Sequence, residues 1–472
     1  GSRADPAQYR PVALTSHITK VFERVIRKSL VTHLEVHGHL PSSQHGFRQC
    51  RSTLTQLLSH WDSILDCLEQ GEAVDVIYTD FSKAFDKCET NVLLTTLRKC
   101  GVKGRVGLWI SAFLDPSTRK QAVGVDGRIS TLVPVVSGVP QGTVLGPILF
   151  LLHIEGISSS LSQGTMSSSF ADDTRIWRSI SSPEDCSLLQ SDLQSVYCWA
   201  DNVNMSFNST KFEWVRYEGS VPAPPFKYQS PDLLDIELKD NLRDLGVRMS
   251  SDLTFHLHIE KVVTTASQMV GWGMRTFRSR NSYLLLTMFK SLVQPHLDYC
   301  SQLWSPTTQE HINKIEAVQR SFVSRFRNPK LQGLNYWDKL RSLSLYSQER
   351  RRDRYAVIFI WKISQGLVEG YTIPFTCRDT RTGRKAEPSP VLQTAPGPVK
   401  KAKSASLAVR GSQMFNLLPV NLRNSEHGDV AMFKNHLDIY LANIPDQPTV
   451  PGLSRGAASN SLLHQIPAYT LP

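Results

Sequence analysis

Three aspartates are the residues of this sequence best suited to chemistry. Asp172 and Asp173 follow Phe170 and Ala171 at the tip of a predicted hairpin, and Asp80 ends another apolar run that is typical of a strand. Adjacent carboxylates repel each other, and a divalent cation that neutralises them removes the repulsion. Three carboxylates from two adjacent strands form the ligand set of a two-metal phosphoryl-transfer site, although an Asp-Asp pair alone is more often a solvated turn.

The segment around Asp80 indicates how such a metal would be held. A strand delivers Asp80 at its C-terminal end, and the backbone carbonyl of the neighbouring Phe81 is available as a second oxygen ligand. Mg²⁺ prefers hard oxygen ligands of this kind and keeps the rest of its shell for water and phosphate. Asp86 lies near the start of a predicted helix, where the helix dipole favours a carboxylate, so we expect it to have a structural role.

A glycine-rich segment, residues 137–147, could bring the backbone close to a ligand. Gly138, Pro140 and Gly142 precede a predicted helix in this segment. Gln141 can hydrogen-bond to a base, a sugar or a phosphate without carrying charge. In most proteins such a segment is only a loop that enters a helix, and it is not a P-loop because no Gly-Lys-Ser/Thr follows it.

Three basic residues are candidates for contact with phosphate. Arg48 and Arg51 lie in one polar loop, and a pair of arginines suits bidentate contacts to a triphosphate. Lys211 follows the Asp-Asp hairpin and could act as a general acid or as a positive clamp for a leaving pyrophosphate. From spacing alone, solvated surface side chains are the simpler interpretation of all three.

Length and composition bound the class of protein. The 472 residues predict two to four packed units, and 53 Lys and Arg against 42 Asp and Glu give a net charge of +11, which favours a polyanionic partner without proving one. The eight cysteines are scattered, which favours free thiols in a reducing compartment over a zinc site. No apolar run approaches the roughly 20 residues of a membrane span, and a signal peptide's apolar core is absent from the sequence, so we expect an intracellular protein.

Hydrophobic periodicity predicts a mixed first half and a helical second half. Helices are expected over much of residues 9–70, over 183–204 and through 256–366. Strands are expected at 74–79, 166–170, 174–177 and 208–217, with a hairpin over 121–136 that turns at Asp126 and Gly127.

Taken in order, these blocks resemble the reverse transcriptases of non-LTR (LINE-type) retrotransposons, of the jockey-like and allied groups. The matching blocks are residues 9–16, 44–48, 80–86, 137–147, 170–173 and 244–247, and the resemblance continues through 290–299, 304–306 and 315–320. The sequence opens directly at the first of these blocks. We therefore expect a protein truncated at its N-terminus, without the endonuclease that such elements usually carry.

The resemblance implies roles for individual residues. Asp80, Asp172 and Asp173 match the catalytic carboxylates, which together with the Phe81 carbonyl would bind two Mg²⁺ ions, with Mn²⁺ as a possible substitute. Phe85 matches an aromatic gate that leaves no room for a ribose 2′-hydroxyl. The other matches are Gln141 and Gly142 near the incoming nucleotide and template, Arg48 and Arg51 on the triphosphate, Lys211 beyond the hairpin, and Asp244, Leu245, Gly246 and Val247 as the turn that grips the primer.

The implied fold is α+β, a right-hand polymerase with an antiparallel-sheet palm, partial fingers and a helical thumb. Partial fingers would occupy residues 1–75, the palm 76–250 and thumb-like helices 251–366. Composition predicts a linker at 367–411, a small C-terminal segment at 412–443 and a disordered tail at 444–472.

The implied function is that of an RNA-directed DNA polymerase. It would extend a DNA primer on an RNA template with dNTPs, without a membrane, in a cytoplasmic and nuclear ribonucleoprotein. The basic runs 320–330 and 350–354 are candidate phosphate contacts, although a solvated helix face is an equally good interpretation of each. Two rivals are a catalytically decayed or host-recruited nucleic-acid-binding remnant, and an RNA-templated RNA polymerase, against which Phe85 argues.

Overall fold

The computed structural model describes residues 9, 12–279, 281–377, 383–425, 429–448 and 459–470. In these residues strands are concentrated in the first half of the chain and helices in the second half. The strands are β1 (Ala73–Thr79), β2 (Lys120–Gln121), β3 (Gly124–Val125), β4 (Arg128–Ile129), β5 (Val133–Pro134), β6 (Thr165–Phe170), β7 (Asp173–Ile180), β8 (Glu213–Tyr217), β9 (Glu237–Leu238), β10 (Asn241–Asp244), β11 (Val247–Ser250), β12 (Phe375–Cys377) and β13 (Arg384–Ala386). The α-helices are α1 (His17–Val36), α2 (Thr53–Glu69), α3 (Ala84–Lys87), α4 (Thr90–Lys99), α5 (Gly104–Leu114), α6 (Gly146–His153), α7 (Pro183–Asn202), α8 (His256–Thr276), α9 (Ser282–Met288), α10 (Gln294–Asp298), α11 (Ser301–Trp304), α12 (Gln309–Val323), α13 (Tyr336–Ser342), α14 (Gln348–Ser364), α15 (Gly397–Ala405), α16 (Ser412–Asn416), α17 (Val420–Arg423), α18 (Val430–Ala442) and α19 (Leu462–Thr470).

The chain divides into two units, and each draws on separate stretches of sequence. The first unit comprises the residues up to Gln49 with Ala73–Arg216 and Pro222–Lys239. The second comprises Cys50–Glu72, Tyr217–Val221 and the residues from Asp240 onward. Helix α2, which the sequence-based domains assigned to the fingers, groups with the second unit because it packs against α11 and α15. Within the described ranges no helix is both long and apolar enough to cross a membrane.

A five-stranded sheet, in the order β6-β7-β1-β8-β9, is the frame of the first unit. Strand β7 is antiparallel to both β6 and β1. Strand β1 is rich in Val, Ile, Tyr and Thr and is buried along nearly its whole length, as expected of a central strand. Helix α7 packs on the sheet through Leu189 and Leu193, and α1, α4, α5 and α6 share a second apolar core. The predicted α+β fold and the three predicted strands around the aspartates are confirmed.

One charged residue lies in the middle of β1. Asp75 is fully buried, and the Arg216 guanidinium holds its carboxylate with two hydrogen bonds of 2.7 and 2.6 Å. The Tyr228 hydroxyl donates to the same carboxylate at 2.6 Å, and burial together with that carboxylate raises the pKa of Tyr228. Strand periodicity could not predict this cluster, because its partners come from β8 and from a loop far along the chain.

Removing the guanidinium would leave the Asp75 carboxylate buried without its ionic partner. We expect Arg216→Met to lower the free energy of unfolding by about 3–5 kcal/mol, the range for breaking a buried pair. The double change Asp75→Asn with Arg216→Met should recover part of this loss, since no buried charge is left. Urea denaturation followed by tryptophan fluorescence measures both, and wild-type stability of Arg216→Met would contradict the structural role of the pair.

The second unit corrects two predictions about the C-terminal part of the chain. The predicted linker at 367–411 contains β12, β13 and α15, and the predicted disordered tail contains α19. Residues 378–382, 449–458 and 471–472 of these regions lie outside the described residues. Composition suggested mobile chain because it does not show which distant side chains will satisfy the backbone of a Pro- and Ser-rich segment.

Two polar side chains illustrate how these segments are held. The Asn416 carboxamide accepts a hydrogen bond from the Ala386 N–H at 2.9 Å and donates to its carbonyl at 2.8 Å. The buried Asp353 carboxylate of α14 accepts from the Leu462 N–H at 2.9 Å, at the start of α19. Both contacts join residues that are far apart in sequence, so local composition carries no trace of them.

The arginine-rich run at 350–354 is structural, which corrects both of its interpretations, a nucleic-acid contact and a solvated helix face. Arg350 and Arg352 are buried inside the second unit. The other two arginines of the run form ion pairs, Arg351 with Asp298 at 2.9 Å and Arg354 with Asp438 at 2.7 Å. A run of basic letters cannot distinguish a phosphate-binding surface from a helix whose arginines pair with acidic groups of neighbouring elements.

A buried carboxyl group joins α12 to α14 and α13. Glu316 accepts a hydrogen bond from the Tyr336 hydroxyl and, at 2.7 Å, from the Gln348 N–H. Burial raises the pKa of Glu316 to about 7. The neighbouring Gln319 donates to the Tyr346 carbonyl at 2.9 Å, so polar groups line this part of the helical core.

The raised pKa of Glu316 predicts a pH dependence of stability. Between its ordinary value near 4.5 and about 7, the folded state binds more protons than the unfolded state. The stability that Glu316 contributes should therefore fall as pH rises through this window and level off above it. Urea unfolding at pH 5 and pH 7.5 should show a smaller loss for Glu316→Gln than for wild type, whereas the exposed control Glu310→Gln should keep nearly the wild-type loss. Equal losses in Glu316→Gln and wild type would rule out this titration.

Candidate active site

The Asp-Asp pair lies at a two-residue hairpin turn at one end of the sheet. Phe170 on β6 pairs with Asp173 on β7, so Ala171 and Asp172 form the turn. Ala171 has φ +57°, in the left-handed region that favours glycine, so the turn is held in a strained conformation. Asp172 is half-buried and Asp173 is exposed. The hairpin therefore presents both carboxylates at the end of the strands.

Asp80 reaches the same end of the sheet from the neighbouring strand. Thr79, the last residue of β1, pairs with Thr174 of β7. Continuing this antiparallel register by one residue brings Asp80 opposite Asp173. The observed register thus places Asp80 at the end of the sheet that carries the Asp-Asp hairpin.

Lys211 forms an ion pair with Asp80. Its ammonium Nζ lies 2.7 Å from Oδ2 of the aspartate, and its side chain is 62 % exposed. The Asp80 carbonyl accepts a hydrogen bond from the Asn208 N–H at 2.8 Å, which ties the segment after the hairpin to the end of β1. The sequence indicated Lys211 as a candidate but gave it no partner. In the fold its partner is Asp80, one of the predicted catalytic carboxylates.

The donors at this end of the sheet suit a hard divalent cation. The Asp80, Asp172 and Asp173 carboxylates and the Phe81 carbonyl are all oxygen ligands. The backbone hydrogen bonds of the Asp80 carbonyl and the Ser82 N–H lie on either side of Phe81 and do not use its carbonyl. Among the described residues no group of three His, Cys, Asp or Glu side chains is already gathered to hold a metal. A cation would take over the charge compensation that the Lys211 ammonium provides.

Backbone contacts hold the Gln141 loop against the segment before α1. The Gln141 carbonyl accepts a hydrogen bond from the Ala13 N–H at 2.7 Å. Gly142 has φ +93°, and a Cβ there would lie 2.8 Å from the Ala13 carbonyl oxygen. Glycine is therefore required at this position, because the two chains approach too closely for a side chain. The Gln141 side chain itself is half-buried.

Glu23 also holds this loop, although the sequence did not draw attention to it. Its side chain is fully buried, and one carboxylate oxygen accepts hydrogen bonds from the Val144 and Leu145 N–H groups at 2.7 and 2.9 Å. These groups stand at the start of α6, where the helix dipole favours a carboxylate. One feature of the sequence could have indicated that Glu23 is buried. It lies on the apolar face of α1, three residues before Ile26 and seven before Leu30.

Phe85 belongs to the segment on which the Gln141 loop packs. Its ring stacks on Phe150 with centroids 4.4 Å apart and meets the Phe47 ring edge-on at 6.2 Å. The Phe85 carbonyl accepts a hydrogen bond from the Val139 N–H at 2.8 Å, so the loop and the predicted gate are directly joined. Asp86 lies in the first turn of α3, the position that the sequence predicted for a structural carboxylate.

The two arginines predicted to bind triphosphate have protein partners. Arg48 forms an ion pair with Glu35, donates to the Pro41 carbonyl at 2.6 Å and is only 6 % exposed. Contact with a triphosphate would require its guanidinium to leave Glu35. Arg51 belongs to the second unit, where its Nε lies 3.9 Å from Glu369. The polar loop that suggested a pair of phosphate ligands is thus divided between two units.

The predicted primer-gripping turn is a tight hairpin of the second unit. Asp244 and Val247 pair across the turn, and Leu245 and Gly246 between them have φ +43° and +90°. Two positive φ values are typical of a type I′ hairpin turn. The Tyr299 hydroxyl donates to the Leu245 carbonyl at 2.7 Å and supports the tip.

Solved structures give only a distant likeness. The apo telomerase of Candida tropicalis has a TM-score of 0.38 at 9 % identity, over 68 % of this chain and 54 % of that one. The RNA-dependent RNA polymerase of a human picobirnavirus, an insertion-loop deletion mutant, has a TM-score of 0.36 at 12 % identity, over 71 % and 57 %.

Sequence relatives are much closer. The chain is 30 % identical over 322 residues to the probable RNA-directed DNA polymerase from transposon X-element of Drosophila melanogaster. The aligned residues cover 67 % of this chain and 35 % of the relative. The RNA-directed DNA polymerase from mobile element jockey of the same organism is 28 % identical, over 68 % and 36 %. The chain spans about a third of the length of these relatives.

A family model settles the assignment. The model for reverse transcriptase (RNA-dependent DNA polymerase) matches residues 2–249, more than half of the chain, and the match includes Asp80, the Gln141 loop and the Asp-Asp hairpin. The resemblance to LINE-type elements of the jockey group is confirmed. This chain belongs to the reverse transcriptase family.

Proposed function

We propose that this chain is the polymerising part of a LINE-type reverse transcriptase and extends a DNA primer on an RNA template with dNTPs. The observation that carries the proposal is the register of β1 with β7, which brings Asp80 to the hairpin that bears Asp172 and Asp173. A purely structural or binding role gives no reason to bring three aspartates to one end of the sheet, because the mutual repulsion of their carboxylates is destabilising.

Reverse transcriptases generally depend on divalent metal ions. Here Asp80, Asp172 and Asp173, with the Phe81 carbonyl, would hold two Mg²⁺ ions, with Mn²⁺ as a substitute. Such ions, when bound, lower the pKa of the primer 3′-hydroxyl and neutralise charge on the leaving pyrophosphate. The chain itself supplies no covalent nucleophile; its strands fix the oxygen donors, and its loops orient the nucleotide.

Lys211 would exchange partners during the reaction. Its ammonium now compensates the charge of Asp80, and its largely exposed side chain can move without a large desolvation cost. A cation held by Asp80 would repel the ammonium, which could then contact the pyrophosphate. Either role inferred from the sequence, a positive clamp or a general acid, is compatible with this exchange.

Sugar selection is assigned to Phe85 and nucleotide orientation to Gln141 and Gly142. The stack of Phe85 on Phe150 fixes the ring, so it cannot easily move aside for a 2′-hydroxyl. The hydrogen bond from the Val139 N–H to the Phe85 carbonyl couples the gate to the Gln141 loop. A triphosphate role for Arg48 remains a proposal that requires its ion pair with Glu35 to open.

Phosphate contacts of the second unit are proposed for the run at 320–330 and the turn at 244–247. Arg325, Arg327 and Lys330 are exposed. Arg320 is engaged differently, with its guanidinium 4.7 Å from the centre of the Tyr336 ring. Because such contacts are electrostatic, we expect template binding to weaken as salt concentration rises.

Primer extension tests the assignment of the catalytic carboxylates. With poly(rA)/oligo(dT), dTTP and Mg²⁺, Asp80→Asn and Asp172→Asn should each reduce the rate by roughly 100-fold or more, because metal ligands supply several kcal/mol of transition-state stabilisation. Asp201→Asn, the same chemical change at an exposed position of α7, should keep the wild-type rate. Absence of extension by folded wild-type protein would instead favour the non-catalytic nucleic-acid-binding remnant.

The gate assignment is tested by sugar discrimination. Phe85→Ala should raise the relative use of rUTP over dTTP by about 10- to 100-fold, because the space under the sugar then admits a 2′-hydroxyl. Phe85→Tyr keeps the ring and should keep the wild-type preference. If wild type already uses both nucleotides equally well, Phe85 is not the gate, and an RNA-templated RNA polymerase becomes the better interpretation of the function.

A further inference from the structure

A short segment of the first unit runs beside the strand that leads to the Asp-Asp turn. The Ser169 N–H of β6 donates to the Ser43 carbonyl at 2.9 Å, and the His45 N–H donates to the Ser169 carbonyl at 2.8 Å. Gln44 thereby forms a parallel bridge with Ser169. We call residues 43–47 the brace, because they lie against the outer side of β6 and continue to the turn.

The Gln44 side chain bonds to the backbone of the turn itself. Its carbonyl oxygen accepts from the Ala171 N–H at 2.9 Å and from the Gly46 N–H at 2.7 Å. Its amide nitrogen donates to the Ala171 carbonyl at 3.3 Å. Gln44 is 4 % exposed, so these bonds are shielded from water. One buried carboxamide thus engages both backbone groups of Ala171, the residue whose φ is positive.

The brace also touches the turn through its backbone. A Cβ on Gly46 would overlap the Ala171 nitrogen and lie 3.1 Å from the Phe170 carbonyl carbon. The next residue, Phe47, has φ +59° and sets its ring against Phe85. The same five residues therefore contact the turn that carries Asp172 and the ring assigned to sugar selection.

We propose that Gln44 is a positioning residue for the catalytic aspartates. It holds Ala171 in its left-handed conformation and so sets the direction in which Asp172 leaves the turn. Ala171 directly precedes Asp172, so any relaxation of its φ or ψ rotates that carboxylate relative to Asp80. This role in catalysis rests on the proposed polymerase function. Its direct physical effect is on the affinity of the carboxylates for a cation.

The chemistry of the contact explains why glutamine is suited to this position. The site needs one acceptor for two N–H groups and one donor for a carbonyl, and a carboxamide supplies both. Asparagine is one methylene shorter and cannot reach equally far, and leucine has similar bulk but no polar atoms. Gln44→Leu therefore removes the hydrogen bonds while keeping most of the packing.

Mn²⁺ binding to the protein without nucleic acid, measured by electron paramagnetic resonance, tests the proposal independently of turnover. Gln44→Leu should weaken Mn²⁺ binding by about 10-fold or more, the usual effect of losing a residue that orients metal ligands. Gly46→Ala should act in the same direction through steric displacement of the turn. In primer extension, kcat should fall while the KM for dTTP stays within about twofold, since Gln44 is assigned no contact with the nucleotide.

Gln190→Leu is the matched control. Gln190 also exchanges two hydrogen bonds with a backbone, donating to the Gln229 carbonyl at 2.9 Å and accepting from its N–H at 2.8 Å, but it lies on α7. It should lower the melting temperature without changing Mn²⁺ affinity. Folded Gln44→Leu with wild-type Mn²⁺ affinity and kcat would overturn the proposal. The polymerase function would be overturned if the wild type binds Mn²⁺, Asp172→Asn does not, and the wild type still extends no primer. In that case the comparison of Mn²⁺ affinity between wild type and Gln44→Leu would still decide the role of Gln44.

Discussion

The antiparallel pairing of β1 with β7 is the constraint on which the first unit depends. It sets Thr79 opposite Thr174, so the residues that follow and precede them, Asp80 and Asp173, meet at one end of the sheet. A register shift of one residue would turn every side chain of β1 to the other face. The buried Asp75 with its Arg216 partner opposes such a shift, because the carboxylate would lose its two hydrogen bonds from Arg216.

Close approach between backbones organises the loops around that end of the sheet. Gly46 lies against the Asp-Asp turn, Gly142 against Ala13, and Gly138 against the backbone of Asp86. At each of these positions a side chain would collide with main-chain atoms, which cannot move aside as a flexible side chain can. Main-chain contacts therefore hold the Asp-Asp turn against Gly46 and the Gln141 loop against Phe85, all within one unit, and this gives the proposed chemistry a rigid frame.

Several arginines of this protein are used for folding. Arg216 neutralises a buried aspartate, Arg48 pairs with Glu35, and the arginines of α14 are buried or paired. The count of 53 Lys and Arg residues therefore overstates the number of basic groups that are available to nucleic acid. Exposed groups such as Arg325 and Arg327 are better candidates for phosphate contact, because their guanidinium groups are open to solvent.

The sequence by itself determined the strands around Asp80 and Asp172, the α+β class and the family, because alternation, turn residues and motif order are local properties of the chain. It could not determine that Lys211 pairs with Asp80, that Arg48 pairs with Glu35, or that Gln44 bonds to the backbone of the Asp-Asp turn. Nor could it predict order in residues 397–405 and 462–470, where Lys403 pairs with Asp66 and the Leu462 N–H donates to the Asp353 carboxylate. Only the tertiary structure decided these partners, since a charged or polar side chain bonds to whatever the fold brings within about 3 Å, and that neighbour is rarely close in sequence.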